Sequence, residues 1–167
     1  AFDCSFCSTP YRRSWRGLDP DAVVARLAHA LERLDRARSG CIHVVDDEFS
    51  MNPARATSIA RGIAARGLTP RLLFDSRATD LLHPAFVEAI APYTAGLLVG
   101  AECGYDEGLA KVGKGTTCRT LEEAARVLAA HGLAARTDFS FILGLPWETR
   151  AEVEDRKSTR LNSSHQS

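Results

Sequence analysis

The sequence predicts an α/β protein, a partial (β/α) barrel truncated at both ends. Two observations predict it. Short runs that are apolar on successive residues alternate with amphipathic helical stretches, the pattern of a parallel sheet covered by helices. Charged or glycine-rich segments also follow each run on its C-terminal side, where a parallel barrel gathers its active-site rim. An open doubly wound sheet shares this rhythm and differs only in strand order.

The elements follow in order. Asp19 and Pro20 give an N-cap and a proline at the first helical position. Val23, Val24, Leu27, Leu31 and Leu34 then share one helical face, and Ser39-Gly40 ends the helix. CIHVV (41–45) reads as the first strand, stopping at Asp46, Asp47 and Glu48. Asn52-Pro53 caps a second helix with Ile59 and Ile63 inward and Gly67 as its stop. RLLF (71–74) is the second strand and ends at Asp75-Ser76-Arg77; Pro84 opens a third helix to about Ala91. GLLVGA (96–101) is the third strand, ending at Glu102. Thr120 with Glu123 reads as a capping box for a helix to His131-Gly132. Phe139 to Leu143 form the fourth strand, followed by GLPWE, and Thr149 with Glu152 starts one more helix.

Composition narrows the class. Apolar residues make up 45% and charged residues 25%, enough to build a core and too apolar for a disordered chain. The formal net charge is zero, which gives no electrostatic reason to expect nucleic acid or an anionic membrane. No apolar run approaches the roughly 18 residues of a membrane span. The cysteines (4, 7, 41, 103 and 118) are odd in number, and a disulfide framework is not expected around such a core. A reducing, cytoplasmic setting is expected.

The core domain is read as residues 1–155. The terminal RKSTRLNSSHQS has almost no apolar content, and residues 156–167 are read as a non-native tail resembling adapter read-through. An incomplete barrel predicts poor stability for the chain alone, because terminal strands expose unpaired edges.

Cys4 and Cys7 have ligand-like spacing. By themselves they fit half a zinc site, a thioredoxin-like redox pair, part of an iron–sulfur ligand set, or two incidental thiols. No second Cys/His pair of suitable spacing follows for zinc, and Pro10 with the basic stretch to Arg16 follows where a redox helix would begin.

The wider pattern is more specific. AFDCSFC resembles the end of the radical S-adenosylmethionine (SAM) signature, C-x-x-x-C-x-aromatic-C, with Phe6 as the aromatic. VVDDEFS (44–50), GAECGYDEGLAKVGKGTT (100–117) and FILGLPWET (141–149) are similar to later segments of the same superfamily, each at a predicted strand end. The likeness covers nearly all of residues 1–155 and is nearest to the branch of methylthiotransferases and cobalamin-dependent members.

The resemblance implies a barrel-type core that holds a 4Fe–4S cluster and SAM, and cleaves SAM reductively to a 5′-deoxyadenosyl radical. The radical then serves hydrogen abstraction, methylation or thiolation of a small-molecule or peptide substrate. Cys4 and Cys7 would be the second and third cluster ligands, the first lying just before Ala1. Three thiolates leave one iron open for SAM. Asp46, Asp47 and Glu48 stand where acceptors for the SAM ammonium are expected, though the family often has Gly-Gly-Glu there. Glu102 would accept from the ribose hydroxyls and Lys114 would pair with the carboxylate. Ile142 and Gly144 would pack on the adenine.

Cobalamin would come through an upstream domain, and electrons from a donor such as flavodoxin or ferredoxin. Asp75 and Arg77 are candidates for substrate contact, Gly104, Gly113 and Gly115 for turns or close backbone approach, and Glu148 for a helix cap. His43 is expected to be a packed core histidine. Trp15, Arg12, Arg13 and Arg16 are expected to form a solvated basic loop. The rival class is a non-enzymatic metal-binding or thiol redox module built on Cys4 and Cys7. A barrel with a purely structural role is a third reading.

Overall fold

The computed structural model describes residues 4–7, 15–34, 40–46 and 48–151. Asp47, Arg12, Arg13, Glu152 and the segment 156–167 lie outside the described residues.

Four strands form one parallel sheet: β1 (Ile42–His43), β2 (Leu72–Ser76), β3 (Thr94–Glu102) and β4 (Thr137–Phe141), in the spatial order β1-β2-β3-β4. Sequential strands are therefore spatial neighbours throughout, always added on the same side. A doubly wound sheet reverses at a switch point. The order here is that of a (β/α) barrel segment.

Helices connect the strands. α1 (Pro20–Arg33) is capped by Asp19, which accepts from the Asp21 N–H. α2 (Pro53–Ala65) is capped by Asn52, which accepts from the Arg55 N–H at 3.0 Å, and it stops at Gly67 in the left-handed region. Both have proline in the first turn, where its missing N–H costs nothing. α3 (Pro84–Ile90) follows a short 3-10 turn at Asp80–Leu82, α4 is Asp106–Lys111, and α5 is Cys118–Ala130.

The helices cover one face of the sheet. β2 alternates strictly: Leu72, Phe74 and Ser76 are buried while Leu73 and Asp75 are exposed. Leu97 and Val99 of β3 share the buried face with Ile59, Ile63, Phe86 and Leu128 from the helices. Strands apolar on both faces do not have both faces covered here. Leu73, Leu98, Asp75 and His43 lie on the open face, which a closed barrel turns inward. That corrects the reading of His43 as a core residue: it is exposed.

Element ends shift in places. β4 starts at Thr137, two residues before the expected Phe139, and Leu143 lies beyond it, exposed. β1 is confined to two residues, with Val45 outside it and 90% exposed. The cap of α5 is Thr117, which accepts from the Thr120 N–H, so Thr120 sits inside the helix. Glu123 pairs with Arg119 one turn away at 3.3 Å instead of closing a capping box. Among the described residues no helix is long and apolar enough to cross a membrane.

Candidate functional site

The site begins with an irregularity in β3. Its register with β4 slips between Gly100 and Glu102, a β-bulge of the kind found where a strand must re-aim a side chain. Glu102 takes φ +63°, the left-handed region that a β-carbon disfavours. The bulge folds the Glu102 carboxylate back over Gly100. There it accepts from Lys114 Nζ at 2.8 Å, with both side chains about nine-tenths buried. A β-carbon on Gly100 would stand 2.5 Å from Glu102 Oε1 and 2.7 Å from Lys114 Nζ. Glycine is required at 100 by this close approach.

The pair is one end of a chain of polar contacts. The Arg77 guanidinium, buried at the end of β2, donates through Nη2 to the Lys114 carbonyl. The Arg77 backbone N–H donates to Glu48 Oε1 at 3.1 Å. Glu48 is placed by its neighbour Phe49, which is buried against Phe74 at a ring separation of 5.2 Å and so pins the loop after β1 to the core. Burial pushes the Glu48 carboxyl up to about 7; Asp80 adds to the rise, and the Ser50 hydrogen bond with the Arg77 and Lys114 charges opposes it. Ser50, Ser76 and Asp80, all buried, complete the group through Ser50 Oγ.

The cysteine segment docks on this structure through the backbone. The Cys7 N–H donates to the Cys4 carbonyl at 3.1 Å, a tight turn that brings the two residues to the same side. The Ser5 N–H donates to the Val112 carbonyl at 2.9 Å, two residues ahead of Lys114. The segment 112–115, with Gly113 and Gly115 both at positive φ, thus holds the thiol turn at one end and the Glu102 ion pair at the other. Cys4 is buried and Cys7 half-buried. Two thiols on one turn suit soft metal chemistry, but no third His, Cys, Asp or Glu joins them among the described residues. They supply two ligands of the three that the resemblance asks for. Cys118 is no substitute: burial, with Asp106 adding, pushes its thiol up to about 11 and keeps it protonated.

Beyond β4, the Ile142 N–H donates to the Glu102 carbonyl at 2.9 Å. Gly144, at φ +79°, opens a turn closed by Glu148, whose Oε2 accepts from the N–H groups of Gly144 and Leu145 at 2.8 and 2.9 Å. Glu148 therefore ties down the Gly144 turn, where a cap on the following helix was expected.

The structure brings Glu48, Glu102, Lys114 and Ile142 into one connected rim, with Cys4 and Cys7 attached through Val112. Asp46 and Phe6 are exposed, Gly144 is exposed at the edge of the rim, and Asp47 is outside the described residues. Asp75 and Arg77 part company: Asp75 is exposed on the open face, and Arg77 turns inward to the Lys114 carbonyl. Arg16 is exposed and Trp15 is partly exposed beneath the Arg55 guanidinium, 5.5 Å from its ring. Ser50, Ser76 and Asp80 went unread in the sequence. Their only signal is Ser50, two residues after Glu48, and serines are common in loops.

The comparisons agree with this architecture. A model of the radical SAM superfamily matches residues 1–157. An uncharacterized methyltransferase of Pyrococcus horikoshii is 30% identical over 155 residues, which are 92% of this chain and 33% of that protein. Two solved structures of the cobalamin-dependent S-adenosylmethionine radical enzyme OxsB share the fold. With aqua-cobalamin bound the TM-score is 0.77 at 22% identity, and with S-adenosylmethionine also present it is 0.75 at 21%. Each likeness covers 91% of this chain and 24% of OxsB. The chain thus spans a third or less of the length of these proteins.

Proposed function

Because this chain belongs to the radical SAM superfamily, we propose that it carries the cluster- and SAM-binding part of an enzyme that cleaves SAM reductively. The observation that carries the reading is the 112–115 segment, which joins the Cys4–Cys7 turn to the Glu102–Lys114 pair through two hydrogen bonds.

Cys4 and Cys7 would hold two irons of a 4Fe–4S cluster, with a further thiolate from ahead of Ala1. When bound, the cluster supplies the electron that cleaves SAM, and the protein's part is binding, orientation and exclusion of water. Lys114 offers its ammonium to the SAM carboxylate, and Glu102 accepts from the ribose hydroxyls. Ile142 and the Gly144 turn supply an apolar edge and close backbone for the adenine. Asp46, exposed beside the end of β1, is the acid available to the SAM ammonium, with Asp47 next to it. Phe6, the aromatic of the signature, stands exposed on the thiol turn.

Methylation is the outcome that the name of the P. horikoshii relative favours over hydrogen abstraction or thiolation. Cobalamin, through a domain outside this chain, fits the OxsB likeness. The substrate is a small molecule or peptide, and a flavodoxin or ferredoxin serves as electron donor.

The test is anaerobic cluster reconstitution on protein expressed with the residues that flank this chain, followed by SAM binding and reductive cleavage to 5′-deoxyadenosine. Cys4→Ser is expected to abolish both the cluster absorbance and cleavage. Retention of zinc on Cys4 and Cys7 without SAM binding establishes the non-enzymatic metal-binding module instead.

A further inference from the structure

Ser50 Oγ lies 2.9 Å from Glu48 Oε1, 2.9 Å from Asp80 Oδ2 and 2.6 Å from Ser76 Oγ. A hydroxyl has one proton to give and two lone pairs that accept. Ser50 has one proton for these three contacts. Ser76 either donates to Ser50 or accepts from it while giving its own proton to the Arg77 carbonyl at 3.4 Å. In either case, direct hydrogen bonds to both carboxyl groups need at least one further proton, carried by a carboxyl oxygen. The outer contacts agree with this arrangement: the Arg77 N–H donates to Glu48 at 3.1 Å, and the Thr79 hydroxyl donates to Asp80 Oδ1 at 3.1 Å.

Charge leads to the same place. The groups facing Glu48 are Asp80 from the 3-10 turn, Arg77 from the end of β2 and Lys114 from the segment after α4, the last paired with Glu102. That is three acids against two bases in a buried region, where an uncompensated charge is costly. One proton makes the group neutral.

We propose that Glu48 and Asp80 share a single proton through Ser50, and that Ser50, Ser76 and Asp80 are positioning residues clamping the loop after β1 to the end of β2. None of these three has a role in the SAM reading. Glu48 is one of the three acids named for the SAM ammonium, but the inference uses only its contacts with Ser50 and the Arg77 N–H, so its test does not depend on SAM binding.

The upward displacement of the Glu48 carboxyl has the same direction. A carboxyl that holds its proton more tightly folded than unfolded stabilises the fold at low pH, and that stability is lost as pH rises through the folded value. Chemical unfolding of the full chain from about pH 4 to about pH 9 reads this directly. The folding equilibrium constant is expected to fall roughly ten- to a hundred-fold between the ordinary carboxyl range near 4.5 and about 7, and to be flat above.

Asp80→Asn keeps the geometry. Its amide nitrogen donates to Ser50, and its oxygen still accepts from Thr79. Asp80 then no longer opposes ionisation of Glu48 while burial still does, so the pH-dependent fall is expected to shrink a few-fold without vanishing. Equal falls in the two proteins, or no fall in the wild type, would overturn the proposal. Carboxyl carbon-13 spectra of the wild type decide the matter if Asp80→Asn does not fold. The Glu48 signal is expected to move near neutral pH, and a Glu48 step in the ordinary carboxyl range near 4.5 overturns the proposal.

Discussion

Gly100 decides whether the Glu102–Lys114 pair can exist. A methyl group there meets both charged atoms inside contact distance, so Gly100→Ala must push apart a pair whose side chains are each about nine-tenths buried. Overpacking with disruption of a buried ion pair costs about 3 kcal/mol, and urea unfolding is expected to show a loss of that size. Gly96→Ala is the control. Its β-carbon meets Leu73 Cδ2 at 2.7 Å, but that is the tip of a flexible, exposed leucine that swings away. A loss under about 1 kcal/mol is expected there, as at sites free of burial or charge. Equal losses at the two glycines would mean that strand backbone, not the ion pair, sets the requirement. At this scale the sequence was readable where a motif marked the residue, as at Glu102 and Lys114. It did not reveal that the two bind each other, because the bulge that joins them is a property of register between β3 and β4. Asp80 was hidden for a related reason: its partner Ser50 is 30 positions away, and only the fold brings them together.

The element that carries most of the site is the 112–115 segment. Gly115 sits at φ +66° with its nearest neighbour, Arg77 Nη2, at 3.8 Å, so alanine there is opposed by backbone conformation and not by space. Gly67, after α2, has φ +62° and nothing within 4 Å. Alanine at either position costs about 1 kcal/mol through the same left-handed strain. The two variants are expected to unfold alike in urea, yet only Gly115→Ala is expected to weaken SAM binding, several-fold or more, because only it displaces Lys114. A Gly67→Ala protein with equally weakened binding would show that general destabilisation, not the segment, is being measured. Helix ends were legible at Asp19-Pro20, Asn52-Pro53 and Gly67, where local chemistry sets them, but at α5 the cap is Thr117 and not the expected Thr120. α4 was not legible, because six residues give no usable period. β4 was misplaced because Thr137 and Asp138 look like loop while Leu143 looks like strand; pairing with Leu97 and Leu98 decides otherwise.

At the scale of the molecule, alternation of strand and helix was enough to predict a parallel sheet, and strand order then selected the barrel arrangement over a doubly wound one. What alternation could not say is which face is covered. Leu97 and Leu98 are adjacent in sequence, equal in size and both in β3, yet Leu97 is 4% exposed and Leu98 is 42% exposed. Their difference comes from the pleat, which sends them to opposite faces with helices on one side only. Truncating Leu97 to alanine removes buried methyl groups and leaves a cavity, a loss of about 2–5 kcal/mol. The same change at Leu98 removes groups already in contact with water, and a loss below about 1 kcal/mol is expected. Urea unfolding of both variants in this chain checks the pair. In a longer protein that closes the barrel, the Leu98 face is turned inward and its value should rise toward that of Leu97. A Leu98 loss already as large as Leu97's in this chain would mean that the open face is covered within residues 1–167, and that the sheet is not one-sided.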